Sequence, residues 1–301
     1  MKPTLVVLAA GLGTRYGGLK QIDAVGPNGE TIIDYALYDA IRAGFGKVVF
    51  VIRHYFENAF REKVSSKFDS IVKTEYAYQE LDAYLGDFAP SEDRDKPWGT
   101  GHALLVARDV VDGPFAVVNA DDYYGPTSFG TILSFVTATD TSSNDYAMVG
   151  YTLRNTLSDY GAVSRGVCEC DEQMFLKKIV ERKKIEKHAG GVRYLDSAET
   201  AHRLTGDEIV SMNLWGFQPS VFDYFQSSFD SFLREQGDQD RSELLIPSVT
   251  DDLIRSGKAT VKVLRTNDPW FGVTYRQDRP IAMECVRKLI DQGIYPEKLW
   301  A

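Results

Sequence analysis

Cysteine is scarce in this chain: Cys168, Cys170 and Cys285 are the three among 301 residues. An odd, low count gives no disulfide framework and points to a reducing compartment, the cytoplasm. Cys168-x-Cys170 resembles half a zinc site, but no second Cys/His pair stands at matching spacing, and alternating strand positions account for it. Long apolar runs are also missing. No stretch approaches the roughly 18 residues that a membrane-spanning helix needs. The short apolar run Thr4–Ala10 leads into Gly11-Leu12-Gly13 and not into a cleavage site, so it reads as a buried strand rather than a signal peptide. Positive charge is in deficit, with 34 Lys and Arg against 43 Asp and Glu and a net charge of −9. Nucleic acid is therefore not expected as a partner, because binding a phosphate backbone needs a surplus of cations. Small phosphorylated ligands stay open, since a few local cations and backbone amides can hold a triphosphate. Internal repeats and low-complexity tracts are absent, and without hexapeptide repeats no C-terminal β-helix is expected.

What is present is an ordinary globular composition, 44% apolar and 26% charged. The first half alternates strands and helices. Strands are expected at Leu5–Ala9, Lys47–Ile52, Ile71–Tyr78 and Phe115–Asn119. Helices are expected at Ile32–Ala43, Tyr55–Lys67, Gly101–Val111 and Thr127–Ala138. That order implies an α/β fold with a mostly parallel central sheet flanked by helices and joined by right-handed crossovers. The second half is more β-rich, with strands expected at Tyr146–Leu153, Gly161–Glu169, Phe175–Val180, Ile209–Phe217 and Thr260–Arg265. Helices follow at Ser220–Arg234, Arg241–Arg255 and Arg279–Gln292. Two polar stretches, Leu81–Pro97 and Glu186–Asp207, read as insertions or lids.

Three segments carry chemistry. Leu8-Ala9-Ala10-Gly11-Leu12-Gly13-Thr14-Arg15, with Lys20 beyond, ends a strand in a glycine loop. Glycine lets backbone amides approach phosphate oxygens, and Arg15 and Lys20 can neutralise a triphosphate. The spacing is not that of a P-loop, and the Rossmann fingerprint is incomplete at Tyr16. The second segment, Pro97-Trp98-Gly99-Thr100-Gly101-His102-Ala103, opens a helix whose free amides could meet an anion or a base edge. The third, Phe115–Tyr123, is an apolar strand that delivers Asp121 and Asp122 at its C-terminal end, where open α/β sheets place ligands. Carboxylates there suit Mg2+.

Leu8–Arg15 with Lys20 resembles the signature loop of the sugar-1-phosphate nucleotidyltransferases, or nucleotide-sugar pyrophosphorylases. The resemblance implies a Rossmann-like (GT-A-type) fold in a single domain over 1–301. Residues 1–150 would form its nucleotide-binding half and 151–301 its β-rich sugar-phosphate half. It implies Arg15, Lys20 and Asp121 as catalytic residues, with Asp121 the magnesium ligand. Leu8, Ala9, Ala10, Gly11, Gly13, Thr14, Gln79, Gly99 and Thr100 would contact the nucleotide, and the Gly-Thr-Gly-His-Ala segment leans toward UTP or dTTP. Gly161, Glu181, Arg182, Lys183 and Asn213 would contact the sugar phosphate, by looser matches to Tyr-Gly-x-Val, to a Glu followed by basic residues, and to an Asn segment. Gly272 stands where many relatives carry a second metal-binding Asp, which leaves Asp268 and Asp278 as nearby candidates. The implied partners are a nucleoside triphosphate and a sugar 1-phosphate, without nucleic acid or membrane, in a possible homo-oligomer. A nucleotide-sugar-dependent glycosyltransferase of similar fold and a non-catalytic nucleotide-sugar sensor are the competing readings. Neither explains a loop that carries both Arg15 and Lys20.

Overall fold

The computed structural model describes residues 2–11, 24–273 and 277–300. In chain order the first half comprises β1 (Thr4–Leu8), α1 (Ile32–Ala43), β2 (Lys47–Ile52), α2 (Glu57–Phe60), β3 (Lys73–Tyr78), α3 (Thr100–Leu105), β4 (Phe115–Asn119), β5 (Asp122–Tyr123) and α4 (Pro126–Ala138). β6 (Asp145–Thr152), β7 (Val163–Cys170), β8 (Leu176–His188), β9 (Gly191–Leu195), β10 (Ala201–Leu204) and β11 (Ile209–Phe217) follow. The chain continues with α5 (Val221–Gln236), α6 (Ile246–Arg255), β12 (Thr260–Arg265), β13 (Phe271–Gly272) and α7 (Asp278–Asp291).

Four of the five strands of the first half pair in parallel in the order β3-β2-β1-β4. Their continuous apolar runs are buried on both faces, as parallel strands between helices must be. Val6, Val49 and Val117 pack on one side, under α3, α5 and α6. Leu5, Val48 and Ala116 pack on the other, under α1 and α4. The expectation of a mostly parallel sheet holds for this half and stops at β4. From there β11, β7, β8, β9 and β10 add on antiparallel, and β12 pairs parallel with β6. The whole is a mixed sheet with helices on both faces.

Four elements depart from the sequence reading, each for a visible reason. The helix expected at Tyr55–Lys67 is broken into α2 flanked by 3-10 turns, with a π-helical turn at Arg61–Ser65. Phe56, Phe60, Val64 and Phe68 are all buried in one cluster and recur every four residues. An α-helix repeats every 3.6, so a wider turn keeps all four on the sheet. The helix expected from Gly101 to Val111 ends at Leu105 and continues as a 3-10 turn at Arg108–Val110. The helix expected from Arg241 begins only at Ile246, with Pro247 in its first turn, because Leu244 is bound to the backbone of Trp98 and Gly101 instead. The strand expected to end at Val180 runs on to His188, so the charged run is strand, and Glu186–Asp207 forms the edge β8-β9-β10 rather than a lid. Leu81–Pro97 is a loop, and it is docked: Leu85 is buried, the Trp98 indole donates to Leu81 O, and Arg94 lies 3.3 Å over the Trp98 ring.

The feature that positions the site is a break in pairing along β11. Past one edge of this strand, residues 209–211 pair with β7, and residues 215–217 pair with β4. Between them lies a bulge in which Asn213 takes φ 62°. Asn tolerates that left-handed conformation better than most residues. The bulge leaves a gap in the sheet between the end of β4 and the start of β7, a topological switch of the kind where α/β sheets bind ligands.

Candidate active site

The gap is a cavity of about 180 Å3. Asn119, Asp121, Asp122, Arg165, Glu181, Asn213 and Trp270 line it, and Pro247 of α6 adds an apolar contact. The side chains arrive from several elements of the topology. Asn119 ends β4. Its side-chain amide donates to Asp122 Oδ2 (2.9 Å), and its oxygen faces the Asn213 amide at 3.5 Å. The Tyr124 hydroxyl donates to Met212 O (2.8 Å) and accepts from the Asn119 backbone N–H (2.9 Å), tying the bulge to the end of β4. These bonds hold the Asp122 carboxylate at the strand end, in the cavity that Asp121 also lines.

The opposite wall is β7 and β8. Their register pairs Arg165 with Arg182 and Gly166 with Glu181, so Arg165 and Glu181 sit on opposite faces of the ladder. Both reach the cavity because the sheet is open there. Glu181 has its acidity weakened by burial, to a pKa of about 6, against the pull of Arg165 and Lys183. Arg182 turns the other way and stacks on Tyr194, its guanidinium 4.7 Å from the ring centre. Lys183 is exposed and close enough to act electrostatically on Glu181. Gly161 lies in a bend before β7 and is not among the cavity-lining residues.

On the nucleotide side, Leu8, Ala9 and Ala10 are buried, and their backbone threads between β2 and β4: Ala9 N–H donates to Val51 O and Ala120 N–H to Leu8 O. Gly11 thus leaves the sheet at the same end as Asp121. Gly13, Thr14, Arg15 and Lys20 lie outside the described residues.

Gln79, Gly99 and Thr100 are placed differently. Gln79 is 4% exposed and donates to Gly99 O (2.9 Å). Gly99 has φ 97°, and a Cβ there would stand 2.5 Å from Leu244 O; one on Gly101 would stand 3.0 Å from it. Thr100 Oγ1 accepts from Ile246 N–H at 3.1 Å. His102 is fully buried against Phe229, bonded through Nε2 to Ala83 O at 2.9 Å. Burial pushes its pKa down to about 4, so it is neutral. These glycines and this histidine fasten the 81–97 loop and the entry to α6 onto α3.

Neither alternative second metal ligand lines the cavity. Asp268 accepts from the N–H groups of Thr127 (2.8 Å) and Ser128 (2.9 Å) and so caps α4. Asp278 accepts from Ser158 Oγ at 3.0 Å at the start of α7. Gly272 pairs with Asp122 across β13 and β5, and a Cβ at 272 would stand 2.6 Å from Asp122 Oδ1. The carboxylate at that spot is supplied by β5. The cavity offers carboxylate, amide and hydroxyl oxygens with no thiol or imidazole. That donor set suits magnesium, which keeps several waters and shares its shell with substrate phosphates. Among the described residues no group of three or more His, Cys, Asp or Glu could hold a metal alone.

The sequence reading missed Arg165 and Trp270. Arg165 had a signal: it is a lone cation between Val163 and Val167, at the inward-facing parity of an apolar strand.

Fold and cavity together define an α/β protein with an acidic ligand site at the C-terminal ends of its parallel strands. The profile of the nucleotidyl transferase family matches residues 4–273, and the chain belongs to that family. No protein of curated function matches it in a sequence comparison. Among solved structures, the inositol-1-phosphate CTP transferase from T. maritima aligns with a TM-score of 0.61 at 14% identity, over 96% of this chain and 97% of that one. A UDP-glucose pyrophosphorylase complexed with UDP-glucose aligns with a TM-score of 0.59 at 17% identity, over 96% and 99%. At these identities the likeness is one of fold. No helix among the described residues is long and apolar enough to cross a membrane.

Proposed function

We propose that this enzyme condenses a pyrimidine nucleoside triphosphate, UTP or dTTP, with a sugar 1-phosphate to give a nucleotide sugar and pyrophosphate. The observation that carries the reading is the gap in the sheet. It gathers Asp121, Asp122, Glu181 and Asn213 in one cavity, beside the point where the glycine loop leaves β1. The pyrimidine preference is supported by the Gly99–Ala103 resemblance and by the two structural neighbours, named for CTP and UDP-glucose.

In this reading Arg15 and Lys20 hold the leaving pyrophosphate. Glu181 and Asn213 accept and donate hydrogen bonds to sugar hydroxyls, which aims the sugar phosphate oxygen at the α-phosphorus. The attacking phosphate is already anionic, so no enzyme nucleophile is required. Alignment and charge compensation are what the protein contributes. Asp121, with Asp122 beside it, would hold magnesium, which would offset charge on the phosphates. The three free cysteines fit a cytoplasmic enzyme.

The test is pyrophosphate release from a matrix of nucleoside triphosphates and sugar 1-phosphates, with and without magnesium. Release is expected only when one triphosphate, one sugar phosphate and the metal are all present. Silence across a broad panel, with nucleotide sugars still bound tightly, would overturn the reading in favour of a glycosyltransferase or a sensor.

A further inference from the structure

Arg165 is 8% exposed, yet no ion pair among the described residues includes it. Its guanidinium is held by neutral oxygens: Nε donates to Thr156 Oγ1 (3.1 Å), Nη1 to Ser164 O (2.7 Å) and Nη2 to Thr156 O. It also lies over the Trp270 ring, 4.8 Å from the centroid. Arginine stays charged in proteins, and a buried charge without an anionic partner costs several kcal/mol, roughly. Two features show where that charge is directed. Three backbone and hydroxyl oxygens and an indole fix the fork, so it is preorganised. Arg165 and Trp270 both line the cavity, in the field of Asp122, Glu181 and Asp121.

We infer that Arg165 binds the phosphate of the acceptor substrate, resting on the reading of the cavity as the sugar-phosphate site. Each nitrogen of the guanidinium uses one N–H on the protein. A second N–H on Nη1 and on Nη2 remains, and donors of a guanidinium suit phosphate oxygens. Phosphate is favoured over a carboxylate on the sugar by position. The cavity that Arg165 lines is also lined by Asp121 and Asp122 at the end of β4, where the reacting phosphates would meet. Glu181 is then left to the hydroxyls. This also resolves why Arg182 can face away onto Tyr194: the cation next to Glu181 in sequence is not the one that shares its cavity.

Trp270 gives a readout that does not depend on turnover. Inorganic phosphate titrated into the full chain should change Trp270 fluorescence saturably, and acetate at equal ionic strength should not. Trp270→Phe should abolish the signal. Arg165→Lys, with unfolding temperature checked, should weaken phosphate binding roughly tenfold or more, as for loss of a bidentate charged contact. With turnover established, the same variant should raise the acceptor KM by a similar factor and move the triphosphate KM less than about twofold. A second measurement needs no Arg165 variant. The Nε–H proton, slowed in exchange by its bond to Thr156, should shift in NMR spectra with phosphate, and Trp270→Phe identifies it by the altered ring current. Unchanged phosphate affinity in Arg165→Lys, an unmoved Nε–H resonance, or tighter binding of acetate than phosphate would overturn the assignment. Pyrophosphate release with an unchanged acceptor KM in Arg165→Lys removes Arg165 alone. A phosphate response lost in Arg165→Lys, in a protein that releases no pyrophosphate, sustains the anion site and removes the transferase reading.

Discussion

Two segments of this chain look equally functional in sequence, and the fold holds their polar groups differently. Gly99–His102 has the glycines, the threonine and the histidine of a ligand loop. Its glycines admit the backbone of Leu244, its threonine receives Ile246 N–H, and its histidine is a neutral, fully buried strut. The gap around Asp121 gathers charged groups from several elements around one cavity. Both lie at the C-terminal side of the same sheet. The difference is one of satisfaction: in the first, every polar group named has a protein partner, and in the second, Arg165 and Glu181 form no ion pair within the described chain. A motif therefore locates a region, and the hydrogen-bond inventory tells which residues in it remain available to a substrate.

Mutations should separate the two. Asp121→Ala should lower turnover by ~10²-fold or more, with a smaller effect on the unfolding temperature than on turnover, since the side chain lines the cavity. Equal losses of activity and stability would erase the contrast. Gly99→Ala should do the reverse. A side chain at φ 97°, with its Cβ directed at Leu244 O, should cost about 2–3 kcal/mol in denaturant unfolding, with kcat of the folded fraction little changed. A stable Gly99→Ala that fails to bind nucleotide would assign the segment back to the ligand.

Glu181→Gln should raise the acceptor KM roughly tenfold by removing a charged hydrogen-bond acceptor. Its pH dependence is the sharper test. With the carboxyl pKa raised to about 6, the binding form is lost as pH falls through that value, so kcat/KM for the acceptor should drop below about pH 6. The folding sign is opposite: a raised pKa favours the protonated folded state, so this residue's contribution to stability is full below its ordinary pKa and lost as pH rises through about 6. The sugar phosphate titrates in the same range, so only the part of the acid limb that Glu181→Gln removes belongs to the residue.

The smallest expected effect is away from both segments. Asp39 is buried, accepts from the Tyr295 hydroxyl at 2.5 Å, and has Oδ1 without a partner. Burial raises its pKa to about 7, with Tyr295 and Arg42 lowering it and Asp268 raising it. Its contribution is full at acid pH and lost as pH rises through about 7, so Asp39→Asn should stabilise the protein by about 1–2 kcal/mol at pH 8 and not at pH 5. Identical gains at both pH values would remove the ionisation argument.

Much of the architecture was legible. The helix Ile32–Ala43 and the strands Lys47–Ile52, Phe115–Asn119, Ile209–Phe217 and Thr260–Arg265 have the bounds their periodicity gives. Their patterns are dictated by burial on known faces. Asp121, Glu181 and Asn213 do meet, although they come from the turn after β4, from β8 and from β11. What sequence could not show depends on partners. The extended 241–245 segment is set by Trp98, and the bulge at Asn213 by which strand pairs on either side of it. Without that bulge there is no gap, and without the gap Arg165 and Glu181 face different sides of the sheet.

The covering of α1 bears on how the chain is made. The face of α1 that carries Ile32 and Tyr35 is completed by a segment far downstream: the Trp300 indole donates to Asp34, 266 residues away, Tyr295 bonds Asp39, and Leu299 is 4% exposed. During synthesis Asp34 of α1 emerges 266 residues before Trp300, and until then that face is not covered. The apolar surface exposed in the interval is a hazard for aggregation and a natural site for a chaperone. A cut between α7 and Trp300 should therefore harm yield in the cell more than it harms the chemistry of any molecules that fold.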